Sequence, residues 1–227
     1  MKKTFFNGKN KDKQYIVIGC GRFGAALAVK MCELGNEVMV VDRNRDTIQD
    51  IADKVTHTAI LEVTDENDLK GIGLGNFDVA IVAISSDLKA SIIATVVAKE
   101  MGVPKVVCKA KDELEAKVLY KIGADKVVFP ERDMGIRLAY NLVSQNVLDQ
   151  INLDPEYSIM EIVTPKQWDD KTIIELNLRA KYDINVLAVK TQEGIKVMPS
   201  PNCKMKEGNI LIIIGNTENI NRLFLQG

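Results

Sequence analysis

The sequence predicts an α/β protein in which a parallel sheet wound by helices is followed by a second, smaller α+β domain. Three observations carry this. From Tyr15 to Phe129, short β-branched runs alternate with helical stretches, as a parallel sheet with crossover helices requires. A glycine-rich turn, Gly19-Cys20-Gly21-Arg22-Phe23-Gly24, lies between the first apolar run and the first helical stretch. Beyond a turn at Asn152 to Glu156, where Pro155 pushes Asp154 out of helical dihedrals, the rhythm becomes that of strands and one hairpin. The first two observations together describe a Rossmann-type fold.

The expected strands of the first domain are Tyr15 to Gly19, Glu37 to Asp42, His57 to Leu61, Val79 to Ile84, Lys105 to Lys109 and Lys126 to Phe129. Each is short and carries β-branched residues in an apolar run, as strands buried on both faces do. Helices are expected near Gly24 to Leu34, Arg45 to Ala52, Glu66 to Gly71, Lys89 to Met101 and Glu113 to Lys121. A further helix, Glu131 to Leu148, is apolar on more than one side and needs more than one neighbour, one of them a second subunit. In the smaller domain, strands are expected at Tyr157 to Thr164, Ile184 to Thr191, Ile195 to Met198 and Asn209 to Ile214, with Glu193-Gly194 turning a hairpin. Helices are expected at Lys171 to Leu178 and Glu218 to Leu225. The domain organisation is thus a flexible tail over residues 1–13, a Rossmann-type domain over 14–148 and a small dimerisation domain over 149–227.

Composition excludes several classes. With 30 basic and 31 acidic residues the net charge is −1, so no global field draws the chain to nucleic acid or to an anionic bilayer. No apolar run approaches the ~18 residues that span a membrane, and the basic, polar start lacks a signal-peptide core. The expected location is the cytoplasm, with any membrane role peripheral. The four cysteines, Cys20, Cys32, Cys108 and Cys203, are scattered singly and read as buried thiols, not as a zinc site or a disulfide scaffold.

The glycine turn is the motif that carries chemistry. Gly19 permits the tight turn, Gly21 lets backbone approach a pyrophosphate, and Gly24 lets helix and strand pack closely. Amides at the helix start then face phosphate. Asp42 ends the next strand 18 residues after Gly24, where its carboxylate accepts ribose hydroxyls and repels a 2′-phosphate. The sole histidine, His57, starts the third strand, on the scaffold side of the sheet, and reads as a structural or surface residue. GxSxG, Walker A and HExxH patterns do not occur in the sequence. The nucleotide therefore reads as a ligand, not a reactant. An NAD-dependent oxidoreductase with a carboxyl-terminal substrate domain is the reading from another class.

The stretches VIGCGRFG (Val17 to Gly24), VMVVD (Val38 to Asp42), KIGADKVVFPERDMG (Lys121 to Gly135) and LNLRAKYDINVLAVK (Leu176 to Lys190) resemble the RCK (regulator of K⁺ conductance) family, and within it the cytosolic subunits of bacterial Ktr/Trk potassium-uptake systems. The likeness spans almost the whole chain. It implies a non-enzymatic regulator that binds ATP or ADP, forms homodimers assembled into a homo-octameric ring, and gates an integral-membrane potassium transporter from the inner face of the membrane. NAD(H) as native ligand, as in Trk relatives, remains open.

The resemblance also implies roles for particular residues. Arg22 matches an arginine that reaches phosphates across a dimer interface; alternatively it is an exposed helix-start cation. Lys109 matches a phosphate-facing lysine, against the reading of a solvated strand-end charge. Glu131 matches an acid holding a divalent cation, Mg²⁺ or Ca²⁺, near the terminal phosphate, against the reading of a helix-capping carboxylate. Val63-Thr64 stands where Ala-Thr is usual beside the adenine, and Phe23, Arg43, Ala83 and Ile84 complete the expected nucleotide site. In the small domain Ile173, Arg179, Asn185 and Pro201 match positions that bind cyclic di-AMP in Gram-positive relatives. Asp183 stands there where glycine is common.

Overall fold

The computed structural model describes residues 13–143 and 147–224, and the chain divides into two compact units, Met1–Arg132 and Asp133–Gly227. The expected tail, Lys13 apart, lies outside the described residues.

The first unit runs β1 (Gln14–Ile18), α1 (Arg22–Glu33), β2 (Glu37–Asp42), α2 (Arg45–Ile51), β3 (His57–Ile60), α3 (Glu66–Gly71), β4 (Val79–Val82), α4 (Leu88–Glu100), β5 (Lys105–Lys109), α5 (Glu113–Lys121) and β6 (Lys126–Val128), after which α6 (Pro130–Val143) begins. The six strands are parallel in the order β3-β2-β1-β4-β5-β6. Alternate residues of β1 feed opposite cores. Ile16 and Ile18 join Val82, Leu69 and Leu119 on one face. Val17 joins Val40, Ile81, Ala28 and Ile48 on the other. Both faces being covered explains why the strands read as continuous apolar runs. Because β1 lies between β2 and β4, the chain leaves it in opposite directions at that point and opens a crevice at the carboxyl ends of the strands.

The second unit continues with β7 (Val147–Asn152), β8 (Tyr157–Val163), α7 (Ile173–Leu176), α8 (Leu178–Tyr182), β9 (Ile184–Thr191), β10 (Gly194–Val197), β11 (Ile210–Asn216) and α9 (Thr217–Phe224). Its five strands are antiparallel in the order β10-β9-β11-β8-β7. Along β8 and β11 every second residue is buried. Met160, Ile162, Leu211 and Ile213 form that core with Trp168, Leu176 and Ile220.

Three expectations change. Of the helix foreseen to Leu148, the described part is Pro130–Val143, whereas Val147 and Leu148 belong to Val147–Asn152, an edge strand paired with β8. Apolar residues at helical spacing there serve a strand equally well once a partner ladder exists, and Arg137 of α6 clamps Asp149 through Nε and Nη2. The helix foreseen over Lys171 to Leu178 is broken into α7 and α8 because Asn177 adopts φ 46°, a left-handed conformation. Of the cysteines, Cys20 and Cys108 are buried, but Cys32 and Cys203 are only half-buried.

Candidate nucleotide-binding site

The helices that open at the carboxyl edge of the parallel sheet divide into two kinds. Asn44, Asp65, Asp87 and Asp112 cap α2, α3, α4 and α5 with side-chain oxygens that accept first-turn amides. The cap of α1 is Gly21, which has no side chain to offer. First-turn amides of α1 are therefore left for an external acceptor, which is what makes a helix start an anion site. The turn leading there is sterically committed to glycine. Gly19 sits at φ +103°, and a Cβ on Gly24 would lie 2.0 Å from the Gly19 carbonyl oxygen. A Cβ on Gly21 would meet nothing within 4 Å, so that position faces open space.

Asp42 ends β2 and braces this turn. Its Oδ2 accepts the Cys20 amide at 2.6 Å and its Oδ1 accepts the Asn44 amide at 2.9 Å. Each oxygen keeps a further lone pair, and Asp42 lines a crevice of about 70 Å³ together with Gly19, Arg43, Val63 and Ile84. Glu62, Ser86 and Asp87 share that lining, and sequence reasoning did not single them out. The signal for Asp87 was its place after the β4 run, just ahead of a helix. Arg43 reaches Glu62 at 3.9 Å. Ala83 is buried at the end of β4, its amide donating to the Ile18 carbonyl at 2.7 Å. Thr64 does not line the crevice; its hydroxyl donates to Glu62 at 3.1 Å.

The other end of the edge carries cations. Lys109, the last residue of β5, is 6% exposed, and its Nζ lies 2.5 Å from Glu131 Oε1 and 5.8 Å from the Phe23 ring centroid. A solvated strand-end charge is not what stands there. Hydrogen bonding from Lys109, and more weakly the nearby charge of Arg22, holds the Glu131 carboxyl below the usual range. Lys109, Lys111, Glu131 and Arg132 line a cavity of about 230 Å³ with Ser85 and Phe129. Arg132 stacks on Phe129 at 3.8 Å and pairs with Glu113. Arg22, exposed at the start of α1, lines a separate groove between α1 and α2 with Cys20, Thr47 and Asp50. His57 is exposed at the opposite end of the sheet, beside Glu37 and Gln14.

In the second unit, Ile173, Arg179, Asn185 and Pro201 line one cavity of about 340 Å³ with Ile174 and Asn177. Asp183 beside it adopts φ 56°, which is the backbone reason a glycine suits that position.

Residues 15–130 match the TrkA-N domain family and residues 158–225 the TrkA-C domain family. The chain is 40% identical over 220 residues to the Ktr system potassium uptake protein A of Bacillus subtilis (strain 168), covering 97% of this chain and 99% of that protein. It is 43% identical over 210 residues to the Ktr system potassium uptake protein C of the same organism, covering 92% and 95% respectively. Among solved structures, the GsuK channel bound to NAD shares the fold at a TM-score of 0.65 and 16% identity, over 95% of this chain and 39% of that one.

Proposed function

This chain belongs to the RCK family, with the Ktr potassium-uptake regulatory subunits, and from that premise we propose that it is a non-enzymatic sensor of ATP and ADP that gates a membrane potassium transporter. The supporting observation is the polarity of the carboxyl edge. Acids Asp42, Glu62 and Asp87 line the crevice on the β2 side of the glycine turn, and Lys109, Lys111 and Arg132 line the cavity on the β5 side. The first suits the donor groups of a nucleoside and the second its phosphates. From β2 to β5 is three strand spacings, about 14 Å at roughly 4.8 Å each, the scale of a ribose joined to an extended polyphosphate.

ATP and ADP differ at the terminal phosphate. An added unit charge about 4 Å from a cation is worth about 4 kcal/mol at an effective dielectric near 20. Driving a two-state equilibrium from 1:99 to 99:1 takes about 5.5 kcal/mol, so coupled sites suffice. Coupling would run through a homodimer and an octameric ring, for which the exposed Met134, Ile136, Leu138 and Leu142 of α6 offer apolar contact. Arg22, which lines the groove between α1 and α2 and not the crevice at Asp42, suits the phosphates of a neighbouring subunit. Among the described residues no group of three His, Cys, Asp or Glu forms a metal cage. Glu131 alone fits a divalent cation held chiefly by phosphate oxygens and water, as Mg²⁺ commonly is. The cavity at Arg179 is the proposed cyclic di-AMP site. Among the described residues no helix is long and apolar enough to cross a membrane, so the transporter is taken to be a separate subunit.

NAD(H) is the second reading, because GsuK binds NAD and Asp42 suits either ribose. Denaturing freshly purified protein and identifying the released nucleotide by chromatography separates the two. ATP or ADP is expected, with calorimetry showing micromolar binding of both and none of NADP. Release of NAD(H) would transfer the sensing role to the dinucleotide, and NADP binding as tight as ATP would remove Asp42 from the ribose.

A further inference from the structure

Nearly all buried polar groups in a folded protein have a hydrogen-bond partner. Among the described residues five side-chain oxygens are shut from solvent without one, and four of them, Gln150 Oε1, Ser158 Oγ, Thr217 Oγ1 and Asn221 Oδ1, belong to one corner of the second unit. The fifth, on Thr164, follows the far end of β8. Strand register assembles the corner. Asn152 stands opposite Ser158 and Gln150 opposite Met160, so Gln150 and Ser158 share the buried face of the sheet with Met160. Thr217 and Asn221 are one helical turn apart on α9 and flank Ile220, which packs in the same core as Met160. The Thr217 amide donates to the Glu156 carbonyl at 2.8 Å, which pins the start of α9 beside the start of β8. Gln150 is 8% exposed and Ser158 is fully buried. The Gln150 amide has a set orientation, because its Nε2 donates to Asn152 Oδ1 at 2.7 Å and leaves Oε1 on the other side.

The chemistry of these oxygens limits what they can hold. The two amide oxygens only accept, which excludes an anion. None is a carboxylate oxygen, and divalent cations are held chiefly through carboxylates. Neutral amide and hydroxyl oxygens are suited to replace the water around a monovalent cation, as carbonyl rings do in potassium-selective filters. The turn between β7 and β8 exposes Asp154 and Glu156, and that local charge favours a cation over a neutral water. We propose that Gln150, Ser158, Thr217 and Asn221 form a binding site for a monovalent cation of the potassium class, held between α9 and the β7–β8 edge of the sheet. The site uses none of the residues assigned to nucleotide or to cyclic di-AMP. Occupied, it ties β7, β8 and α9 together through one ion, so the stability of this unit follows the concentration of that ion. The proposal stands apart from the nucleotide-sensing reading, and its test uses no nucleotide, so each can fail alone.

The test is thermal unfolding of the full chain followed by the fluorescence of Trp168, the sole tryptophan, which is buried in the core of the second unit. Potassium chloride is compared with choline chloride at equal ionic strength, since the methylated nitrogen of choline offers oxygen ligands neither a bare charge nor a proton. Potassium at about 0.1 M is expected to raise the midpoint by about 4 °C, as a site with a dissociation constant of about 10 mM does. The double variant Ser158→Ala, Thr217→Val deletes two hydroxyls without adding bulk, and Asn216, not Thr217, caps α9. It should melt at one temperature in both salts. In choline it should melt no lower than the native chain, because it leaves fewer buried oxygens unpaired. Equal native midpoints in the two salts mean a buried water only and overturn the site, as does a potassium effect that survives in the variant. Crystals grown with rubidium in place of potassium test the same claim without a variant. Anomalous density is expected against Gln150 Oε1 and Ser158 Oγ, and its absence there overturns the proposal.

Discussion

The two units hold their candidate sites by opposite means. In the first, parallel strands buried on both faces end in a turn whose glycines are enforced by backbone contact, and Asp42 braces it through two amides. In the second, an antiparallel sheet carries a cavity assembled from α7, α8, the start of β9 and the loop at Pro201, with left-handed residues Asn177 and Asp183 at the joints. The first site rests on a sheet buried on both faces. The second depends on short segments, and should respond more to single changes in backbone preference and less to steric ones.

The largest effect expected from this contrast is steric. Gly24→Ala puts a methyl 2.0 Å from the Gly19 carbonyl oxygen, so α1 must move off the turn. We expect a loss of about 3 kcal/mol, at the upper end for overpacking, and abolished nucleotide binding. Gly215→Ala in the second unit meets the Asp183 carbonyl at 2.6 Å. There a loss of about 1 to 2 kcal/mol should leave nucleotide binding intact. Scanning calorimetry with ATP titration on both variants checks this, and equal loss of binding would erase the distinction between the units.

Next in size is the cavity of the second unit. Arg179→Ala should weaken cyclic di-AMP about tenfold or more, as loss of a charged hydrogen bond does, with ATP affinity unchanged. Asp183→Gly should act in the other direction. It relieves a left-handed non-glycine worth about 1 kcal/mol and removes a negative charge beside an anionic ligand, so melting temperature and affinity should rise together. A rise in stability without a rise in affinity would show that Asp183 does not face the ligand.

How far these features were legible in the sequence follows the same division. The glycine turn and Asp42 are readable because their spacing is local and each glycine has a separate steric cause. The burial of Lys109 is not readable, since it depends on how Phe23 and Glu131, distant in sequence, close over the end of β5. Glu62 and Asp87 were passed over because an acid at a strand or helix end has many bland explanations. The four residues of the second cavity carry no local pattern at all, and only likeness to a family brought them together. β7 was missed because its hydrogen-bond ladder belongs to β8, which lies beyond the turn.

The smallest effect concerns two depressed carboxyls, one in each unit. Asp125 is held low chiefly by the Val106 amide, which donates to Oδ2 at 2.6 Å, and further by Lys99 at 3.1 Å. Asp170 is held low by the side chains of Lys204 and Lys206, at 3.0 and 3.2 Å, on an open surface. A carboxyl whose folded pKa lies below its unfolded value of about 3.9 adds stability fully above that value. The contribution is lost as pH falls through the folded pKa. Both residues should therefore soften the protein toward acid, but by different physics. Surface ion pairs are screened, and at 1 M salt the Debye length is only about 3 Å. Asp170→Asn, which removes the charge and keeps a side chain suited to the left-handed backbone at φ 59°, should then be nearly silent in high salt. Asp125→Ala instead strands the amide of Val106, a fully buried residue. That should cost about 1 kcal/mol, largely independent of salt. Urea unfolding of both variants at pH 7, in low and high salt, reads the difference directly. If the cost of Asp125→Ala also vanishes in salt, the carboxylate is an ordinary surface charge and the amide contributes nothing to holding β5 against β6.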